Sequence, residues 1–96
     1  MKTLHLHIKK KYWDRVKNGI KIEEYRLHNI YWSKRLIGKD YGEIQYHLGY
    51  PKKGDRSRTL KFGWNGYDED FITHELFNNK KEFCFIISLS SRNFKV

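Results

Sequence analysis

Leu4, Leu6 and Ile8 alternate with His5 and His7, and within a few residues the spacing changes: Tyr12, Trp13 and Val16 fall on one helical stripe, with Lys10, Lys11, Asp14, Arg15 and Lys17 outside it. The switch predicts a half-buried strand over residues 3–8 and an amphipathic helix over residues 9–18. Gly19 stands where a glycine ends a helix, and Lys17 suits the negative end of the helix dipole. The chain therefore opens as strand, helix and hard stop.

Further strands are expected over residues 20–27, around Ile44, Tyr46, Leu48 and Tyr50, around Leu60, Phe62 and Trp64, and over residues 83–89. The last is the most apolar segment and reads as a strand buried on both faces. Residues 28–37 predict a short second helix closed by Gly38, and residues 67–79 a helical turn around Phe71, Ile72, Leu76 and Phe77. Pro51 and Gly54-Asp55 punctuate a basic loop. The fold class that follows is α+β: about five strands, an N-terminal helix and a short second one. Strands this short in so small a chain are best stabilised by closing into a small β-barrel, which removes exposed edges. Residues 1–90 make one domain and residues 91–96 are expected to be a frayed tail.

A chain of 96 residues buries only about 60–65% of its unfolded surface, so its core needs large side chains. Three Trp, seven Tyr and six Phe supply them. The single cysteine, Cys84 between Phe83 and Phe85, excludes an internal disulfide and a cysteine-based metal framework. It reads as a buried small hydrophobe, not a nucleophile. His5 and His7 share a strand face, but no spacing rule recruits His28, His47 or His74 as a third ligand, so no metal and no cofactor is expected. Neither a signal peptide nor a membrane-length apolar run is present, and the sequence predicts a cytoplasmic protein with no membrane partner.

The charge is uneven. Residues 1–40 carry 11 Lys/Arg against 4 Asp/Glu, whereas residues 41–96 carry 9 against 7, for a net charge of +9. A small basic domain rich in aromatics has the electrostatic profile of a polyanion binder. Lys52, Lys53, Arg56 and Arg58 place four cations in seven residues, with Phe62 and Trp64 following as rings on which bases could stack. Lys9, Lys10 and Lys11 extend the positive surface at the first helix.

The most specific segment is residues 18–26, Asn-Gly-Ile-Lys-Ile-Glu-Glu-Tyr-Arg, with the pattern G-x-K-x-x-E-x-R between the first helix and the second strand. This resembles the ASCH domain family, whose characteristic segment is Gly-x-Lys-x-x-(Glu/Thr)-x-Arg at that place. Tyr31-Trp32-Ser33-Lys34-Arg35-Leu36 and Tyr50 after a glycine look like the small single-domain members found in phage and prophage genomes. The resemblance implies a PUA-like barrel and RNA binding. Some members are ribonucleases, and some hydrolyse the acetyl group of N4-acetylated cytidine with the Lys and Thr of the motif. Here Glu24 occupies the Thr position, and a carboxylate is a poor substitute for a hydroxyl nucleophile.

Glu24 and Arg26 share a strand face, while Lys21 has the opposite parity and joins them only from a turn or across a bulge. Converged, they form a charged cleft. Glu24 would accept a hydrogen bond from an exocyclic amine, and Lys21 and Arg26 would hold phosphate or carbonyl oxygen. Trp32 offers a ring for stacking. An intramolecular ion pair latching the barrel mouth uses the same residues for structure alone. Three functions compete. The first is a module binding RNA or another single-stranded nucleic acid through Lys21, Glu24, Arg26, Trp32, Lys52, Lys53, Arg56 and Arg58. The second is a ribonuclease or amidohydrolase on a modified nucleoside, with Lys21, Glu24 and Arg26 catalytic. The third is a phage-encoded inhibitor of a host protein.

Overall fold

The computed structural model describes residues 2–89 and 94–95. Strand β1 (Lys2–Ile8) keeps the alternation of its sequence, burying Leu4 and Leu6. Helix α1 (Lys10–Lys17) buries Tyr12, Trp13 and Val16. It ends in a Schellman arrangement. The Gly19 amide donates to the Val16 carbonyl at 3.0 Å and the Ile20 amide to the Arg15 carbonyl at 2.8 Å. That turn needs a left-handed residue, and Gly19, at φ +73°, supplies it without a Cβ penalty. Strand β2 (Glu23–Leu27) begins four residues later.

Helix α2 (Ile30–Leu36) is capped by Asn29, whose side chain accepts from the Trp32 amide. Strands β3 (Tyr41–Leu48), β4 (Thr59–Gly63), β5 (Tyr67–Thr73), β6 (Lys81–Ser88) and β7 (Phe94–Lys95) complete the chain, with one 3-10 turn at Glu75–Phe77. One sheet has the order β1-β3-β4-β7 and the other β2-β6-β5. β1 and β3 are parallel, with Leu6 opposite Tyr46 and His7 opposite His47. Such a pair requires a long crossover, and α1, β2 and α2 provide it. The motif therefore lies inside the crossover and delivers β2 to the second sheet, where Glu24 sits opposite Ile87 and Arg26 opposite Phe85.

The two sheets wrap one core of Leu4, Leu6, Trp13, Val16, Leu36, Ile44, Tyr46, Leu60, Phe62, Phe85, Ile87 and Leu89. This is a small α+β domain of barrel-like form built from two sheets. Among the described residues no helix is long and apolar enough to cross a membrane.

Two local expectations change. Residues 67–73 form strand β5, not a helical turn, and only Glu75–Phe77 winds. Asp68, Glu69 and Asp70 hide the strand signal, but the segment pairs with β6 along its length and its acids sit on a solvent-facing edge, where charge blocks further pairing. Tyr50 lies beyond β3, because Gly49, at φ +60°, turns the chain out of the sheet. In the expected tail, Phe94–Lys95 pair with β4; residues 90–93 and 96 lie outside the described residues.

Candidate functional site

The helix stop leaves Lys21 in the turn ahead of β2, its amide donating to the Arg15 carbonyl at 3.1 Å. From there its side chain reaches the face occupied by Glu24 and Arg26, as the parity argument requires. Glu24 is 0% exposed. Its Oε1 accepts from Lys21 Nζ at 3.2 Å and from the Tyr46 hydroxyl at 3.0 Å, and its Oε2 is in close ion contact with Arg26 Nη2. Among the described residues no donor is aligned on Oε2 as a hydrogen bond, leaving its contact with the Arg26 charge, and Arg26 Nε has no hydrogen-bond partner. Arg26 Nη2 also donates to the His7 carbonyl at 3.0 Å, capping the free edge of β1.

The cations are sheltered as well, with side-chain exposures of 10% for Lys21 and 15% for Arg26. Lys21 Nζ lies 5.2 Å from the Tyr12 ring centre and 5.6 Å from that of Tyr25, and the Arg26 guanidinium lies 4.8 Å from the Trp32 ring. Burial, reinforced by Glu24, pushes the Tyr46 hydroxyl far above the usual phenol range, so it remains a donor. The triad and Tyr46 thus tie β2 of one sheet to β1 and β3 of the other. Glu24 has no free face to offer a base amine. Trp32 is half-buried, packs against the core, and has the Arg26 guanidinium on its ring.

What remains open at this corner is a cleft of about 320 Å³ in front of Lys21, lined also by Arg15, Tyr25, His74, the exposed Ile20 and Ile22, and Glu23, whose Oε1 accepts from the Tyr25 hydroxyl at 3.1 Å. Arg15 and Lys11 reach Glu75 at 2.5 and 3.1 Å and hold its carboxyl below the usual range. His74 Nδ1 accepts the Leu76 amide at 3.1 Å, which leaves the proton of the neutral ring on Nε2. Burial first and the Lys21 charge second lower the pKa of His74, so the ring is neutral at pH 7.

The basic loop borders a larger cleft of about 480 Å³, lined by Lys52, Arg56 and Lys61 together with His7, His47 and Tyr50. Lys53 is exposed and does not line it, and Arg58 lies 3.8 Å from Asp55. The rings expected to serve this loop face the wrong way. Phe62 is 2% exposed in the core, and Trp64 packs against the core with Tyr41 edge-on at 5.1 Å. The alternation that turns Leu60 and Phe62 inward leaves neither for stacking.

Sequence reasoning missed a column of rings on the outer face of the β1–β3 pair. His5 stacks on His47 (5.2 Å between centres), His47 on His7 (4.7 Å) and His7 on Tyr50 (4.3 Å). The outward parity of His5 and His7 was a signal; the parallel register that brings His47 beside them was not. Among the described residues no group of three or more His, Cys, Asp or Glu side chains is arranged to hold a metal ion. Burial and the neighbouring His7 and His5 lower the His47 pKa to about 4. Comparison with models of known families, with curated proteins and with solved structures finds no match.

Proposed function

We propose that this domain binds RNA or another single-stranded nucleic acid, as its resemblance to the ASCH family implies, with the cleft in front of Lys21 as one contact. The observation that supports this reading is the fixed ammonium of Lys21. It is anchored from behind by buried Glu24 and faces a cleft that also holds Arg15, Tyr25 and His74, with the Glu23 carboxylate engaged by the Tyr25 hydroxyl. A cation held in place loses little conformational freedom on meeting a phosphate, and the neighbouring rings suit a base or sugar. In this reading Glu24 and Arg26 position Lys21 and do not touch the ligand.

The test is anisotropy of labelled single-stranded RNA and DNA across a salt series. The expected result is a log–log slope of several units, with Arg15→Ala lowering the slope by about one. Absence of binding at low salt would overturn the reading.

One observation favours a second reading, a hydrolase acting on RNA or on acetylated cytidine. Neutral His74 lines the same cleft as Lys21. Lys21 would stabilise a developing oxyanion and His74 would carry the proton. Turnover of labelled RNA or acetylcytidine that is abolished by His74→Ala would favour it. Turnover unchanged in that variant would place the chemistry elsewhere.

A further inference from the structure

Tyr50 is 86% exposed, yet it is not loose. Its ring lies on that of His7 with only 14° between the planes. His7 is in turn fixed by an Nδ1–H donated to the Gly49 carbonyl at 2.7 Å, a bond to the residue just before Tyr50. The next ring, His47, is held by the Thr59 hydroxyl at 2.8 Å and by His5 at 3.0 Å. Pro51 confines the Tyr50 backbone to extended conformations, and Gly49 supplies the left-handed turn that lifts Tyr50 off β3. The result is a preorganised flat ring at the end of a stack, with no other ring upon it among the described residues.

The surroundings of Tyr50 are cationic on both sides. It borders the cleft that holds Lys52, Arg56 and Lys61, and also a second cleft of about 330 Å³ that holds Lys9, Lys10 and Arg58. Among the described residues the one carboxylate in the larger cleft, Asp55, is already engaged by the Ser57 hydroxyl and amide at 2.6 and 3.0 Å and lies 3.8 Å from Arg58. In the smaller cleft Lys10 is paired with Asp14 at 2.6 Å. An aromatic ridge between two basic clefts matches one ligand chemistry. In single-stranded nucleic acid a planar base can lie on such a ring while the phosphates on either side of it reach the cations. A duplex keeps its internal bases paired and stacked and offers such a face only at its ends.

We propose that Tyr50, standing on the His7–His47–His5 column, is the stacking platform for an unpaired base of single-stranded nucleic acid whose flanking phosphates lie in the two basic clefts. This deepens the nucleic-acid reading above and rests on it, but it places a contact away from the Lys21 cleft and makes the ligand single-stranded.

The experiment uses RNA and DNA strands of one sequence, each carrying a single 2-aminopurine, with the matching duplexes as controls. Titrated with the wild-type protein, at least one single strand is expected to show quenched 2-aminopurine fluorescence, with weaker binding of its duplex. Tyr50→Ala should weaken binding about 5- to 150-fold and abolish the quench, while Tyr50→Phe keeps both. Tyr50 is a surface residue, and unchanged thermal unfolding of Tyr50→Ala would show that the fold is intact. Wild-type affinity and quench in Tyr50→Ala would overturn the platform and leave nucleic-acid binding standing, as would duplex bound as tightly as single strand. Failure of the wild type to bind any of the ligands would overturn both.

Discussion

At the motif corner, Lys21 and Arg26 are 10% and 15% exposed and both face the fully buried Glu24. At the ring column, Lys52, Arg56 and Lys61 are exposed and border an open cleft beside Tyr50. The two regions draw on the same materials, cations and aromatic rings, and differ in solvation. In the corner the two cations share one buried carboxylate, and the rings of Tyr12, Tyr25 and Trp32 shelter them. In the column Lys52, Arg56 and Lys61 stand at the solvent face without an ion pair among the described residues. A pattern of charged residues therefore says little about binding until it is known which of them are paired and buried.

The largest effect expected from this contrast is on folding. Glu24→Ala leaves Lys21 and Arg26 sheltered without a counter-charge, which should cost about 3–5 kcal/mol. In a domain of this size each kcal/mol lowers the melting temperature by about 4–8 °C, readable by thermal or urea unfolding. A loss below about 1 kcal/mol would mean that the network is not structural. Tyr46→Phe removes one donor to Glu24 Oε1 and should cost about 1–3 kcal/mol, the range for leaving a buried acceptor short of a partner.

The column should respond in the opposite way. Replacing Lys52, Arg56 and Lys61 together by Ala is expected to change stability by less than about 0.5 kcal/mol per site. The same variant should lower the salt slope of nucleic-acid binding by about two to three units. A loss of stability comparable to that of Glu24→Ala, with binding intact, would reverse the assignment of the two regions.

A separate effect is on pH dependence. His47 has a folded-state pKa of about 4, below the ordinary histidine value, because burial and the adjacent His7 and His5 disfavour its charge. Between these values the unfolded chain binds the proton and the folded one does not. His47 therefore contributes a loss of stability as pH falls from about 6.5 toward 4. His47→Gln should flatten the stability–pH curve in that window, as read by urea midpoints at successive pH values. An unchanged curve would mean that His47 titrates normally in the fold.

Much of the corner was legible in the sequence. The period change at Tyr12, the stop at Gly19 and the two-residue spacing of Glu24 and Arg26 give the helix, the turn and the shared face, and the turn resolves the parity of Lys21. The burial of Glu24 was not legible. Its neutral partner Tyr46 is 22 residues away on the other sheet, and no local pattern pairs them. β5 was hidden because three consecutive acids mask an edge strand whose order comes from its neighbour β6. Phe62 and Trp64 were assigned to the surface because aromatics after a basic loop look available, although the alternation of β4 turns Phe62 inward. Tyr50 was read as strand because it continues the alternation of β3 for one more step, and Gly49 breaks that step.

The most direct measurement is a backbone amide NMR titration of the full chain with a short single-stranded oligonucleotide. The expected result is chemical-shift change in the segment from Gly49 to Arg56, at His7 and His47, and around Lys21 and His74, with the acidic edge of Asp68, Glu69 and Asp70 unmoved. Shifts centred on β5, or no shifts at low salt, would contradict the account.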